Sequence, residues 1–251
     1  MRAVVLISFL AFLIVPFTAA RAFTLAPSTW DLSGARGETL DATFAVRNSS
    51  DQDEMYYFSK QNFRSAPDGI SPEFLADDKS GAIEWLSFDK QKTTIAAGQF
   101  EEIGYHVRIP SDASAGTYLT AIMVSLAPSE LIPNGASVQA KTAALLFITV
   151  SGNTTEQLAV VEMRSSRSWF STLPARLTLS LQNQGNVSLI PTGTVRVRNL
   201  FNRVVWTSSF NADAGRLLSG TTRVFPIVWT IESLPSNRSL LGALLSEWEG
   251  H

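Results

Sequence analysis

The stretch Thr39-Leu40-Asp41-Ala42-Thr43-Phe44-Ala45-Val46-Arg47-Asn48 decides the fold class of this chain. Every second side chain in it is apolar, so one face collects Leu40, Ala42, Phe44 and Val46. A period of two is that of a β-strand with one buried face. The strand ends at Asn48, where the run Asn-Ser-Ser-Asp begins, because these residues favour turns.

Other segments of the chain extend this pattern. Phe100 to Ile109 alternates again, with Ile103, Tyr105, Val107 and Ile109 facing inward. Thr117 to Leu126 and Ala143 to Val150 are more continuously apolar, as expected of strands at the centre of a sandwich. Only the stretch after Ser239 has a helical pattern. Strands with frequent turns and no intervening helices predict an all-β fold of antiparallel sandwiches.

The second half of the chain weakly repeats the first. Arg176 to Asn183 is an alternating strand that ends in Asn before a polar turn, as the opening strand does. A polar stretch at 150–155 separates the two halves. The sequence therefore predicts two tandem immunoglobulin-like antiparallel β-sandwich domains, at 23–151 and 156–251.

Two kinds of segment complete this prediction. Asn62 to Ser80 is rich in Pro, Gly and acidic residues and lacks periodicity, which predicts a long surface loop. Trp85, Trp206 and Trp229 lie in alternating patterns and are predicted to be core residues.

The N-terminus has the composition of a secretory signal peptide. A cationic Met1-Arg2 precedes an apolar run from Ala3 to Phe17, and the small-x-small triplet Ala20-Arg21-Ala22 precedes Phe23. The apolar run is shorter than the roughly 20 residues that cross a bilayer. We therefore predict a signal peptide at 1–22 and an exported mature chain. No cysteine follows that could carry a lipoprotein anchor.

The composition removes several function classes. The 251 residues include no cysteine, which excludes disulfides, thiol nucleophiles and Cys-ligated metals. The two histidines, His106 and His251, are too few for a His-based triad or metal site. Glu101 and Glu102 are strand neighbours that point to opposite faces, so they cannot share a catalytic proton. Together with a net charge of -2, this predicts no enzyme, no cofactor, no metal and no nucleic-acid partner.

Two sets of residues are candidate sites. Pro110, Asp112, Gly116 and Tyr118 form a predicted structural corner, in which the tyrosine hydroxyl binds a loop backbone and Gly116 takes a positive φ. Trp169 and Phe170 are adjacent and form a candidate exposed patch for carbohydrate or protein. Packing in the core or between domains is the alternative for this pair.

The motif Pro110-Ser-Asp-Ala-Ser-Ala-Gly116-Thr-Tyr118, with Phe44-Ala-Val-Arg-Asn48, resembles the exported bacterial domains of the DUF916 type, found in WxL-interacting proteins. The resemblance implies a cell-surface protein that contacts cell-wall polymer or a surface protein. It also implies a late Gly-x-Tyr strand in the second domain, often followed by a membrane anchor. The chain ends at His251 without either, so we expect the second domain to be incomplete and an anchor to lie beyond residue 251.

Two functional hypotheses follow for the exported chain. The first is a non-catalytic cell-surface binding or scaffold protein that contacts cell-wall polymer or a surface protein. The alternative is a periplasmic chaperone of the pilus type that acts by strand donation, for which Ala143 to Val150 is a suitable apolar strand. The sequence offers no evident pair of basic residues to hold the carboxylate of a client protein. Both hypotheses place the chain at the cell surface, in the periplasm or outside the cell.

Overall fold

A computed structural model describes residues 23–126, 141–165 and 174–229. The first domain contains β1 (Phe23–Ala26), β2 (Thr29–Gly34), β3 (Thr39–Asn48), β4 (Glu54–Ser65), β5 (Pro72–Leu75), α1 (Ala82–Trp85), β6 (Leu86–Phe88), β7 (Lys92–Ile95), β8 (Phe100–Arg108), β9 (Gly116–Ser125) and β10 (Lys141–Val150). The second contains β11 (Leu158–Ser165), β12 (Ala175–Asn183), β13 (Gly193–Arg198), β14 (Val204–Phe210) and β15 (Thr222–Trp229). The predicted all-β fold class is confirmed.

Two sheets form the sandwich of the first domain. One has the order β1-β3-β8-β6 and the other β2-β10-β9-β4-β5, with β7 also paired to β4. Their inner faces share one apolar core, to which each sheet contributes alternate residues such as Phe44, Ile103, Ile122 and Leu146. All pairs are antiparallel except β2 with β10, which is parallel.

The chain changes sheets between β1 and β2. Phe23–Ala26 pairs with β3 in the first sheet, and after Pro27 the chain enters the second sheet as β2. Because of this crossing, β2 covers only Leu145–Val150 of β10. Among the described residues, no strand pairs with that side of β10 from Lys141 to Ala144.

The second domain contains a three-stranded sheet, β11-β12-β15, and a β13–β14 hairpin. Its core gathers mainly aromatic and aliphatic side chains from β12, β14 and β15, including Leu181, Trp206, Phe225 and Trp229. An isolated bridge joins Leu189 to Leu217.

Equivalent asparagines end the corresponding strands β3 and β12, and both are fully buried. Asn48 Oδ1 accepts from the backbone N–H of Ser50, and its Nδ2 donates to the carbonyls of Gln52 and Ile95. Asn183 repeats the arrangement, as its Oδ1 accepts from Gly185 N–H and its Nδ2 donates to Val187 O and Leu217 O. The repeated strand-Asn-turn pattern of the sequence therefore has the same physical basis in both domains.

The loop predicted from Asn62 to Ser80 is wrong in its first part. Strand β4 continues to Ser65 and pairs with β5 as a hairpin. The turn between them is stabilised by Asp68, whose carboxylate accepts from the backbone N–H groups of Ile70 and Ser71. The last four residues of β4 and the four of β5 are too few to show a period, and the Pro-Asp-Gly turn between them favours a loop, which is why the pattern indicated one.

Some predictions lie outside the described residues. They are the signal peptide at 1–22, the helical stretch after Ser239, and His251. Within the described ranges, no helix has the length and apolar character that a membrane crossing requires.

Candidate functional site

A cleft of about 370 Å³ lies where the two domains meet. The first domain contributes β2, β10 and the β4–β5 hairpin to its walls, and the second contributes the segment before β15 and the start of that strand. The lining includes Thr29, Leu145, Phe147, Arg216, Leu218 and Arg223.

The outer face of the β10-β9-β4 sheet is apolar at this cleft, although the outer face of a sandwich is commonly polar. Phe63, Ala121, Met123 and Phe147 form a buried cluster there, and Leu218 of the second domain packs against it. The continuous apolar runs of β9 and β10 in the sequence thus reflect burial on both faces.

Arg216 is the charged residue with the most contacts in the cleft. Its Nη2 donates to Asp31 Oδ2 at 2.7 Å and its Nη1 to Ser188 Oγ at 3.0 Å. The guanidinium lies 4.2 Å from the centre of the Phe147 ring, a cation–π distance. Its side chain is 21% exposed, so it is held in place while remaining open to the cleft.

Arg223 enters the same cleft from the start of β15. Its Nη1 donates to the backbone carbonyl of Arg216 at 2.8 Å, and its guanidinium lies 5.2 Å from the Phe225 ring. Its Nε is buried without a hydrogen-bond acceptor among the described residues. With Arg64, which is paired to Glu73, the described lining of the cleft includes three arginines and no carboxylate.

The β4–β5 turn brings one carboxylate near this group. The pKa of Asp68 is lowered, chiefly because Ser71 and the backbone of Ile70 donate hydrogen bonds to it, and Arg223 adds a smaller electrostatic contribution. At Gly69, with φ of +69°, an added Cβ would lie 2.5 Å from Thr222 O. The glycine therefore allows the hairpin to touch the second domain.

The open edge of β10 leads into the cleft. Leu145 N–H donates to Ser28 O at 2.9 Å, so the backbone groups of odd-numbered residues in β10 point away from β9. By the same alternation, the N–H and C=O of Lys141 and Ala143 point to the open side. The covered part of β10 begins opposite Thr29, which itself lines the cleft.

The residues of the predicted corner surround the start of β9. Tyr118 Oη donates to Ser114 O at 3.0 Å, and its ring packs on Trp85 at 4.4 Å between centroids. Pro110 follows the end of β8, and Asp112 lies in an exposed turn where Ala113 N–H donates to Pro110 O.

Gly116, the remaining corner residue, has φ of +146° and makes a contact between domains. A Cβ there would lie 2.7 Å from Asn186 O. Next to it, Thr117 N–H donates to Asn186 O, and Asn186 Nδ2 donates to Ala115 O. The corner thus joins the two domains, a role that the local motif did not predict.

His106 lies on the outer face of β8 between two carboxylates. Its Nδ1 is 2.6 Å from Asp41 Oδ1 and its Nε2 is 2.7 Å from Asp89 Oδ1. These hydrogen bonds raise the pKa of His106, that to Asp41 contributing most. Over the described ranges, no group of three or more His, Asp or Glu is placed to hold a metal ion.

The arginines of the cleft were not predicted from the sequence. The predicted aromatic patch lies where the structure gives no description. Arg216 lies in the loop before β15 and Arg223 in that edge strand, both far from β10 in sequence, so no local spacing indicates that they meet it. Trp169 and Phe170 lie outside the described residues.

No protein-family model matches the chain, and no curated protein matches its sequence. Solved structures of similar backbone include a chain from a chaperone–tip adhesin complex of CFA/I fimbriae, at 14% identity and a TM-score of 0.49, covering 81% of this chain and 84% of that one. The class 5 fimbriae chaperone CfaA is 14% identical, with a TM-score of 0.47 and coverages of 86% and 88%. The E. coli chaperone DraB is 13% identical, with a TM-score of 0.43 and coverages of 82% and 86%.

Proposed function

We propose that this chain is an exported, non-catalytic binding protein that holds an extended segment of another exported protein. The segment pairs with the open edge of β10 and ends in the arginine-lined cleft. The observation that carries the proposal is the run Lys141–Ala144, which no described strand covers on that side and whose backbone groups point outward beside the cleft.

An open strand edge has a chemical use because its N–H and C=O groups can bind a further strand. Ala143 offers one such donor and one acceptor, and Lys141 offers another pair. Main-chain pairing of this kind accepts many sequences, so selectivity has to come from neighbouring side chains.

The cleft supplies a preference for one direction of the bound segment. Strand β2 runs parallel to β10 and begins opposite Leu145. A partner segment that lies along Lys141–Ala144 in the same direction therefore has its C-terminal end next to Ser28 and Thr29. Its C-terminal carboxylate then lies at the cleft that contains Arg216 and Arg223. Guanidinium groups bind carboxylates with paired hydrogen bonds, which favours this orientation over the antiparallel one.

This proposal favours the strand-pairing alternative over the cell-wall scaffold. The arginine pair that the sequence failed to indicate is now a candidate for holding a client carboxylate. Binding of cell-wall polymer, which the family resemblance implied, stays a prediction. Retention of the mature protein on purified cell wall, compared with an unrelated β-sandwich, tests that second reading.

The test uses peptides selected from a displayed library with free C-termini. Amidation of a selected peptide removes its terminal charge and is expected to weaken binding about 10- to 100-fold, as is Arg216→Gln, because a charged hydrogen bond contributes about 1.5 to 3 kcal/mol. Arg176→Gln, an exposed arginine on β12, is the matched control and should leave affinity unchanged. Equal affinity for free and amidated peptides would contradict a carboxylate in the cleft.

A further inference from the structure

The tip of the β13–β14 hairpin presents two adjacent large apolar side chains to solvent. Leu200 is 95% exposed and Phe201 is 69% exposed, the two highest values among the large apolar residues that the structure describes. Scattered exposed apolar residues are ordinary, but two neighbours at a protruding turn form a distinct feature.

The tip is held in a fixed shape by its own hydrogen bonds. Asn199 Oδ1 accepts from the backbone N–H groups of Phe201 and Arg203, both at 3.0 Å. Asn202 N–H donates to Asn199 O, and Asn202 has φ of +62°, a conformation that asparagine tolerates well. Arg198 Nη1 donates to Asn202 O at 2.9 Å. With the turn fixed in this way, Leu200 and Phe201 are held outward.

All charged side chains of the hairpin that carries this tip are cationic. From Gly193 to Phe210 it contains Arg196, Arg198 and Arg203 and no acidic residue or lysine. Arg198 and Arg203 flank the turn, and Arg196 lies about 7 Å further back along the strand at the usual rise per residue. The tip itself is therefore apolar, and the positive charges lie beside it and further back along the hairpin.

We propose that this hairpin tip inserts into the surface of a bilayer that contains anionic lipid. Leu200 and Phe201 enter the region between headgroups and acyl chains, which apolar side chains of surface-bound segments reach to a depth of about 5 to 10 Å. The arginines remain at the level of the headgroups and bind phosphate.

A bilayer fits the tip better than a protein groove does. A protein partner would have to offer a pocket shaped for a convex two-residue point, with acidic residues arranged around it. A lipid surface adapts to that shape. Its anionic headgroups border the apolar layer, so they lie next to the arginines when Leu200 and Phe201 are inserted. The inference does not depend on the strand-pairing proposal, because the hairpin and the open edge of β10 belong to different domains.

The first experiment places a probe at the tip. Since the chain has no cysteine, Phe201→Cys provides one labelling site for an environment-sensitive fluorophore. We expect a blue shift, and quenching by lipids that carry a quencher on the acyl chain, with vesicles of phosphatidylcholine plus phosphatidylglycerol. Vesicles of phosphatidylcholine alone should give a much weaker response.

Unlabelled variants then separate the two contributions in a vesicle flotation assay. Leu200→Ser with Phe201→Ser should lower the partition coefficient at least about 10-fold, since two apolar side chains no longer enter the lipid. Arg196→Gln, which leaves the hydrogen bond from Arg198 to Asn202 intact, should lower it about 5-fold, because each arginine contributes about a factor of 5 at an anionic surface. Phe100→Ser is the control, as Phe100 is 65% exposed but neighbours Glu101 and Glu102.

Three results would overturn the proposal. They are equal binding to neutral and anionic vesicles, unchanged binding after the Leu200 and Phe201 substitutions, and a probe that responds to an envelope protein but not to vesicles. All substituted side chains are exposed, so the variants should keep the melting temperature of the parent, and this is measured alongside.

Discussion

The group Asp41–His106–Asp89 joins three elements through one imidazole ring. Both ring nitrogens lie within hydrogen-bond distance of carboxylates, and only the protonated ring can donate from both. Gly104 makes room for this arrangement, because a Cβ there would collide with Asp89 Oδ2. The sequence predicted an outward-facing histidine on a strand, but the two carboxylates come from β3 and from the turn after β6, beyond the reach of local pattern.

We expect this group to make stability depend on pH. The pKa of His106 is raised above its unfolded value of about 6.5, so its contribution is fully present below that pH and is lost as pH rises through the folded pKa. Proton NMR titration should give a pKa above about 6.5 that falls in Asp41→Asn and in Asp89→Asn. Asp112→Asn is the control, and an unshifted pKa in the parent protein would contradict the arrangement.

The buried asparagines define a second prediction. Asn183→Ala removes the side-chain donor of Val187 O and the side-chain acceptor of Gly185 N–H, while Leu217 O keeps the hydrogen bond from Leu189 N–H. We expect the free energy of unfolding of the second domain to fall by about 2 to 4 kcal/mol, measured from its urea midpoint. Asn153→Ala, at an exposed position between the domains, should change it by less than about 0.5 kcal/mol. Similar small effects at both positions would show that the bonds of Asn183 are replaced by water.

Two glycines with positive φ differ in whether an added Cβ would touch the other domain. Gly98, at φ of +70°, has no atom within 4 Å of an added Cβ, whereas the Cβ of an alanine at 116 would meet Asn186 O. Gly98→Ala should therefore cost about 1 kcal/mol from strain alone, and Gly116→Ala about 2 kcal/mol or more, both because φ of +146° suits glycine almost exclusively and because the Cβ meets Asn186 O. Only Gly116→Ala should also enlarge the radius of gyration in X-ray scattering. Equal effects would contradict the contact.

At the scale of elements, the sequence predicted the long strands well. Alternation or a continuous apolar run placed β3, β8, β9, β10 and β12 close to their observed ranges, because each buries at least one face over eight or more residues. The short elements β5 and α1 were missed, since four residues cannot show a period. The open part of β10 was also beyond sequence reasoning, because it results from where β2 joins the sheet.

The open edge makes a specific prediction about proline. Ala143→Pro removes an N–H that points away from β9, so the β9–β10 ladder should remain intact and the protein should fold. Binding of the selected peptides should be lost, because β10 no longer offers an N–H to the partner strand at that position. Ala143→Ser keeps the N–H and should bind normally. Retained binding in Ala143→Pro would place the peptide elsewhere.

At the scale of the whole molecule, the cleft depends on how the two domains meet. The apolar runs of β9 and β10 predicted strands at the centre of a sandwich, but the sequence could not show that Leu218 covers their outer face. Arg216 reaches β2 through Asp31, 185 positions away in the sequence, and β10 through Phe147. Contacts between residues that are far apart in the chain produce no local pattern that a single sequence could show.

Amide hydrogen exchange by NMR, with and without a selected peptide, tests the central claim most directly. The open-edge account predicts that the amides of Lys141 and Ala143 become slow to exchange when the peptide binds, while those of Thr142 and Ala144, directed towards β9, keep their rates. Saturating peptide that leaves the exchange of Lys141 and Ala143 unchanged would contradict strand pairing at β10.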